Sequence, residues 1–231
     1  DTSLADFRAR RAAAESAGDD DAPAGGRGGG FFGPSAAAVL AGTYTATITV
    51  DGRKYSTPVE VRNDPRSDQT PAEAVAQLDA ARQMEAISGR ITNVINGVDD
   101  LARQLGALRA QLRGGDRATA VPDARAVGVE VDTTLGALKQ FRDSVLARPL
   151  PGLGYRQYPR LREEAQSVLG MIARPMKPPT AGETLRLGEL RQEADSAQQR
   201  LDLIIQTHVA RINQMLQGTP HLITPPRPIV P

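Results

Sequence analysis

"TPAEAVAQLDAARQMEAISGRITNVINGVDDLARQLGALRAQLRGG", residues 70–115, decides the fold. Thr70 stands before Pro71, with Glu73 three residues on, which is the residue set of a capping box with proline at the first helical position. Met84, Ile87, Ile91, Val94, Val98, Leu101, Leu105, Leu108 and Leu112 then recur by alternating threes and fours. That spacing holds a single apolar stripe along a helix of roughly 40 residues, closing at Gly114-Gly115. Gly89, Gly97 and Gly106 interrupt it, each costing up to about 1 kcal/mol relative to alanine. Close approach of a neighbouring helix is the expected use of such positions.

The C-terminal half repeats the pattern. A second helix is expected over residues 123–147, with Val127, Val131, Leu135, Leu138 and Val145 on one face. Prolines and glycines in "RPLPGLGYRQYP" break it. A shorter helix follows over 160–173 through Leu161, Ala165, Val168 and Ile172. Thr180, with Glu183 three residues on, starts a last long helix through Leu187, Leu190, Ala194, Ala197, Leu201, Ile204, His208, Ile212 and Met215, ending at Gly218. Two long helices and two shorter ones, joined by short loops, predict a mainly α fold: an antiparallel helical bundle over 70–218. The tail 219–231, "TPHLITPPRPIVP", is proline-rich and extended.

Ahead of the bundle, "GTYTATITVDGRKYSTPVEVRNDPR" (42–66) predicts a β-hairpin about an Asp51-Gly52 type I′ turn. A two-residue turn sets Val50 opposite Arg53, Ile48 opposite Tyr55, Ala46 opposite Thr57 and Tyr44 opposite Val59 on one largely apolar face. Thr49–Lys54, Thr47–Ser56, Thr45–Pro58 and Thr43–Glu60 form the polar face, and a one-residue slip would turn the apolar set into water. Pro58 falls in a non-hydrogen-bonded pair, which suits a sheet edge. A lone hairpin is marginal in water. Other strands, the helices or a partner's surface are therefore expected to cover the apolar face. Residues 1–42 read as a short helix-forming segment, "LADFRARRAAAES", and a Gly-rich linker.

The residue inventory narrows the chemistry. With 28 basic and 27 acidic residues there is no bulk electrostatic case for nucleic acid. Aromatics at 3% and the absence of Trp leave few stacking platforms. Absence of Cys excludes disulfides, thiolate metal sites and a cysteine nucleophile. No apolar run is long enough to span a bilayer. "GGRGGG" lacks the Lys-Ser/Thr of a phosphate loop, and Asp19-Asp20-Asp21 lacks the spacing of a calcium loop. His208 reads as a hydrogen-bonded polar residue on the last seam. Asp99-Asp100 and Glu163-Glu164 point about 100° apart on a helix, so they read as solvated faces rather than acid/base pairs. No catalytic, cofactor or metal residue is assigned, and the chain reads as a non-enzyme.

Interface anchors are the better lead. The loop bearing Tyr155, Arg156 and Tyr158 holds the residue types that anchor protein contacts, the alternative being that the tyrosines plug the end of the bundle. Phe31-Phe32 are bulky rings in a Gly-rich stretch and are expected to dock. The chain opens at Asp1 without a visible leader, which reads as a removed leader or a piece of a longer chain.

Gly42-Thr43-Tyr44, Asp51-Gly52 and the Asp64-Pro65-Arg66 exit, followed by "TPAEAVAQLDAARQM", resemble the C-terminal region of bacterial secreted β-propeller proteins of the sortilin-like, neuraminidase-repeat type. The likeness is carried by the hairpin, and over the helices it is one of layout. It implies that the hairpin ends a small Ig-like sheet, that the helices follow it, and that the chain is extracytoplasmic, periplasmic or extracellular. The propeller and the Trp-Asp-Leu-Arg-type strand of that family are absent here, so its hydrolase label is not carried over. The expected function is a non-catalytic scaffold or docking module with protein partners. The alternatives are an accessory subunit of a membrane-associated photosynthetic or respiratory complex and a fragment of a glycosidase- or sialidase-like enzyme.

Overall fold

The computed structural model describes residues 37–114, 121, 123–150, 157–174, 176–220 and 222–226. The Ala/Arg-rich segment and the Gly-rich linker as far as residue 36 lie outside them. Within them the chain is mainly helical, a bundle preceded by an antiparallel hairpin of β1 (Gly42–Val50) and β2 (Arg53–Val61).

Helix α1 (Pro71–Arg113) runs for 43 residues, about 65 Å at 1.5 Å per residue. Thr70 caps it as its sequence implies: Thr70 Oγ1 accepts from the Glu73 amide at 3.3 Å, and the Glu73 carboxylate accepts from the Thr70 amide at 2.8 Å. The same box starts α4 (Ala181–Ile204), where the Thr180 amide donates to Glu183 at 2.7 Å. Between them lie α2 (Ala124–Phe141) and α3 (Leu161–Ala173).

Cross-helix bonds set the directions. Asp99 meets Arg142 and Arg109 meets Asp132, so α2 descends along the C-terminal half of α1. The Gln77 amide donates to the Ile172 carbonyl at 2.8 Å, which puts the end of α3 beside the start of α1. Gln83 pairs with Arg191, Arg90 with Asp195, and Gly97 sits against Leu201, so α4 runs parallel to α1. Thus α2 and α3 occupy in succession the position antiparallel to both long helices. The core is the stripe read from the sequence: Met84, Ile87, Ile91, Val94, Val98, Leu101, Leu105 and Leu108 are buried against Val127, Val131, Leu138, Phe141, Val168, Ile172, Leu190 and Leu201. Of the three interrupting glycines only Gly97 marks a close approach. A Cβ there would lie 3.1 Å from Leu201 and 3.2 Å from Pro226, whereas Gly89 and Gly106 face open space.

Two π-helical turns correct the expected seams. Arg142–Leu146 continues α2, and Ile205–Val209 continues α4 into a last helical segment, Ala210–Met215. A π turn inserts one residue into the ladder. The buried series therefore steps by five, from Phe141 to Leu146 and from Ile204 to Val209, then on to Ile212 and Leu216. Val145, His208 and Met215, expected on the seam, are displaced to half-buried flanks.

Candidate functional site: an uncovered hairpin

Asp51 and Gly52 take positive φ values of 48° and 78°, as a type I′ turn requires, and the register pairs Val50 with Arg53 through to Gly42 with Val61. Every strand residue except Val61 is exposed. On the apolar face, Ile48 is 65% and Tyr55 58% accessible, and Tyr44, Val50 and Val59 are also open. The expectation is cover from further strands, the helices or a partner's surface. Among the described residues neither strand lies along a helix, and the sheet has two strands only. The face is held by its own cross-strand pairs and, on the polar side, by a Thr47–Ser56 hydroxyl contact of 2.8 Å.

The two outer edges differ. With Val50 and Arg53 as the bonded pair closing the turn, the backbone groups of Thr43, Thr45, Thr47 and Thr49 point outward from β1, and those of Lys54, Ser56, Pro58 and Glu60 point outward from β2. Pro58 removes a donor from the middle of the β2 edge, and Arg53, Lys54 and Glu60 add charge there. Strand β1, "GTYTATITV", has no charge and no proline. It is the unprotected edge.

The base of the hairpin is closed by local hydrogen bonds. The Asp64 carboxylate accepts from the Arg66 amide at 2.9 Å and from its guanidinium at 3.0 and 2.7 Å, while the Asp64 carbonyl accepts from the Ser67 amide at 2.9 Å. Proline after the aspartate suits such a turn. The Arg66 side chain, then its amide, hold the Asp64 carboxyl below the usual carboxylate range. This corner, which the Asp-Pro-Arg motif encodes, forms the connection from β2 to α1. On the other side Tyr44 donates to the Leu40 carbonyl at 2.8 Å, and the Ala37 amide donates to Glu85 at 2.7 Å, tying the incoming chain to α1. A cleft of about 240 Å³ lies at this junction, lined in part by Leu40, Val61, Leu78 and Met176.

Of the expected contact residues, Phe31, Phe32, Tyr155 and Arg156 lie outside the described residues. Tyr158 is 84% accessible. Exposed to that degree, Tyr158 does not plug the bundle. Glu163 secures that junction, its carboxylate accepting from the Arg160 amide at 3.0 Å and the Arg148 amide at 3.2 Å. Glu164 pairs with Arg186, which also reaches Glu189 and Glu193. The Glu193 bond leads in raising the Arg186 pKa above its ordinary value. Glu163 is therefore a structural partner rather than part of a solvated face, whereas Asp99 and Glu164 keep solvent access while pairing with Arg142 and Arg186. His208 Nδ1 lies 3.0 Å from Glu130, whose other oxygen is 3.4 Å from Arg211. Among the described residues there is no cluster of three metal-binding side chains, and no helix is long and apolar enough to cross a membrane.

Comparison with protein-family models, curated proteins and solved structures returned no match.

Proposed function

We propose that the chain is a non-catalytic docking module whose bundle presents the hairpin to an extended strand of a partner protein, added at the β1 edge. The observation that carries the reading is the uncovered hairpin with one open and one blocked edge. Strand addition would satisfy the outward backbone groups of four threonines, and the added strand would extend the apolar face through Tyr44 and Ile48. Because β1 is uncharged, the fitting strand is uncharged too, with apolar residues alternating on that face. The likeness of the hairpin to secreted propeller proteins supports an extracytoplasmic setting. The non-enzymatic reading rests on the residue inventory: no cysteine, and two histidines of which His208 is engaged by Glu130.

Photo-crosslinking in the native host tests it. A benzophenone side chain at position 47, on the open edge, should give one discrete protein adduct, lost when Thr45→Pro removes an outward donor. The same probe at position 56, on the blocked edge, should give none. Absence of an adduct from position 47, or equal adducts from both, would overturn the reading.

A further inference from the structure

The tail was expected to be merely extended, yet residues 222–226 are seated in a groove between α1 and the end of α4. Gly218, at φ 83°, turns the chain after the last helical segment, Ala210–Met215. The Asn213 side-chain amide then donates to the Ile223 carbonyl at 2.8 Å and accepts from the Ile223 amide at 2.8 Å. Gln104, on α1, does the same for Thr224, donating at 2.9 Å and accepting at 2.8 Å. Two consecutive residues thus have both backbone groups read by side chains of two different helices, in the way a neighbouring strand would read them. Ile223 is buried between them, and Pro226 packs over Gly97, where any side chain would crowd it. Pro225 and Pro226 carry no N–H, so the segment brings no unmatched donor into the groove. Leu222 stays exposed.

We infer that this groove is a peptide-recognition site, that residues 222–226 are its internal ligand, and that it accepts in trans an extended partner segment with the pattern Ile-x-x-Pro. The groove's polar groups belong to side chains, so the tail can leave without breaking a helical ladder. Specificity comes from the Ile223 position and from the Gly97 recess, and affinity from the two amide pairs. While attached, the tail competes at an effective concentration in the millimolar range, which keeps weaker trans ligands out. Tail and partner segment are therefore mutually exclusive occupants. This proposal is independent of the hairpin reading.

The test uses the full chain and a fluorescein-labelled peptide of sequence HLITPPR, read by anisotropy. Ile223→Asp places a carboxylate in the buried position and displaces the tail. Thr224→Pro removes the amide that Gln104 accepts from, and carries the measurement if the first variant loses its helical circular dichroism. Saturable peptide binding is expected for the tail-displaced variant, roughly tenfold or more weaker for the wild type. It should be lost when Gln104→Ala is added. A scrambled peptide should not bind. No saturable binding to a variant that keeps its helical signal, or equal binding to the wild type, would overturn the inference. So would a wild-type dimer that Ile223→Asp turns into monomer, since the groove would then serve tail exchange between copies.

Discussion

The bundle and the hairpin are written in the same chain under opposite rules. In the bundle, every seam residue from Met84 to Leu108 meets another helix, and charged side chains such as Arg142, Arg186 and Arg191 bridge the surfaces beside it. In the hairpin, turn chemistry and alternation agree on one register, but the apolar face they create lies along no helix among the described residues and stays exposed. One region satisfies its own pattern, while the other specifies a surface and leaves it open. That difference is the main argument for a docking role, because natural edge strands are usually shortened, charged or covered. Strand β2 follows that habit and β1 does not.

Substitutions in the two regions should differ in cost. Leu101→Ala, at a fully buried seam position, is expected to cost about 2–5 kcal/mol, through lost burial and the cavity left behind. Urea unfolding followed at 222 nm measures it, and a loss under about 1 kcal/mol would count against the core described here. Removing a cap is the intermediate case: Thr180→Ala should cost about 1 kcal/mol in the same assay.

Acid sharpens the picture further. The amides of Thr70 and Thr180 hold the Glu73 and Glu183 carboxyls below the usual glutamate value of 4.5. A carboxyl whose folded pKa is depressed stabilises the fold above its unfolded value, and that contribution fades as pH falls through the folded one. The wild type should therefore exceed Glu73→Ala/Glu183→Ala in stability at pH 7, and the gap should narrow once the pH drops below 4.5. A gap unchanged at pH 3 would show that the carboxylate charge plays no part. The smallest effect belongs to the hairpin. Ile48→Ser, on the bare face, should leave bundle unfolding within about 0.5 kcal/mol of wild type, as surface substitutions generally do.

Much of this was legible from residue spacing, and the exceptions share a cause. Caps at Thr70 and Thr180, the four helices and the hairpin register follow from local chemistry, where neighbours in sequence are neighbours in space. The π turns were not legible, because a one-residue insertion leaves local composition unchanged and shows only as a step of five between buried residues. The run Phe141 to Leu146 carries that signal, as does Ile204 to Val209. The tail's seat was hidden for a different reason: Gln104 and Thr224 are far apart in the chain, and an amide that pairs with backbone has no sequence signature. Adjacent glutamates at 163 and 164 looked solvated for the same reason, since their partners Arg148 and Arg186 come from other segments.

The bundle is complete without the hairpin. Replacing residues 43–60 by a short Gly-Ser linker and measuring the thermal midpoint of the helical signal tests it directly. A midpoint within about 2 °C of the intact chain is expected, since the replaced strand residues are exposed throughout. A fall of more than about 8 °C, corresponding to a few kcal/mol for a chain of this size, would show that the hairpin belongs to the bundle's fold and contradict the claim.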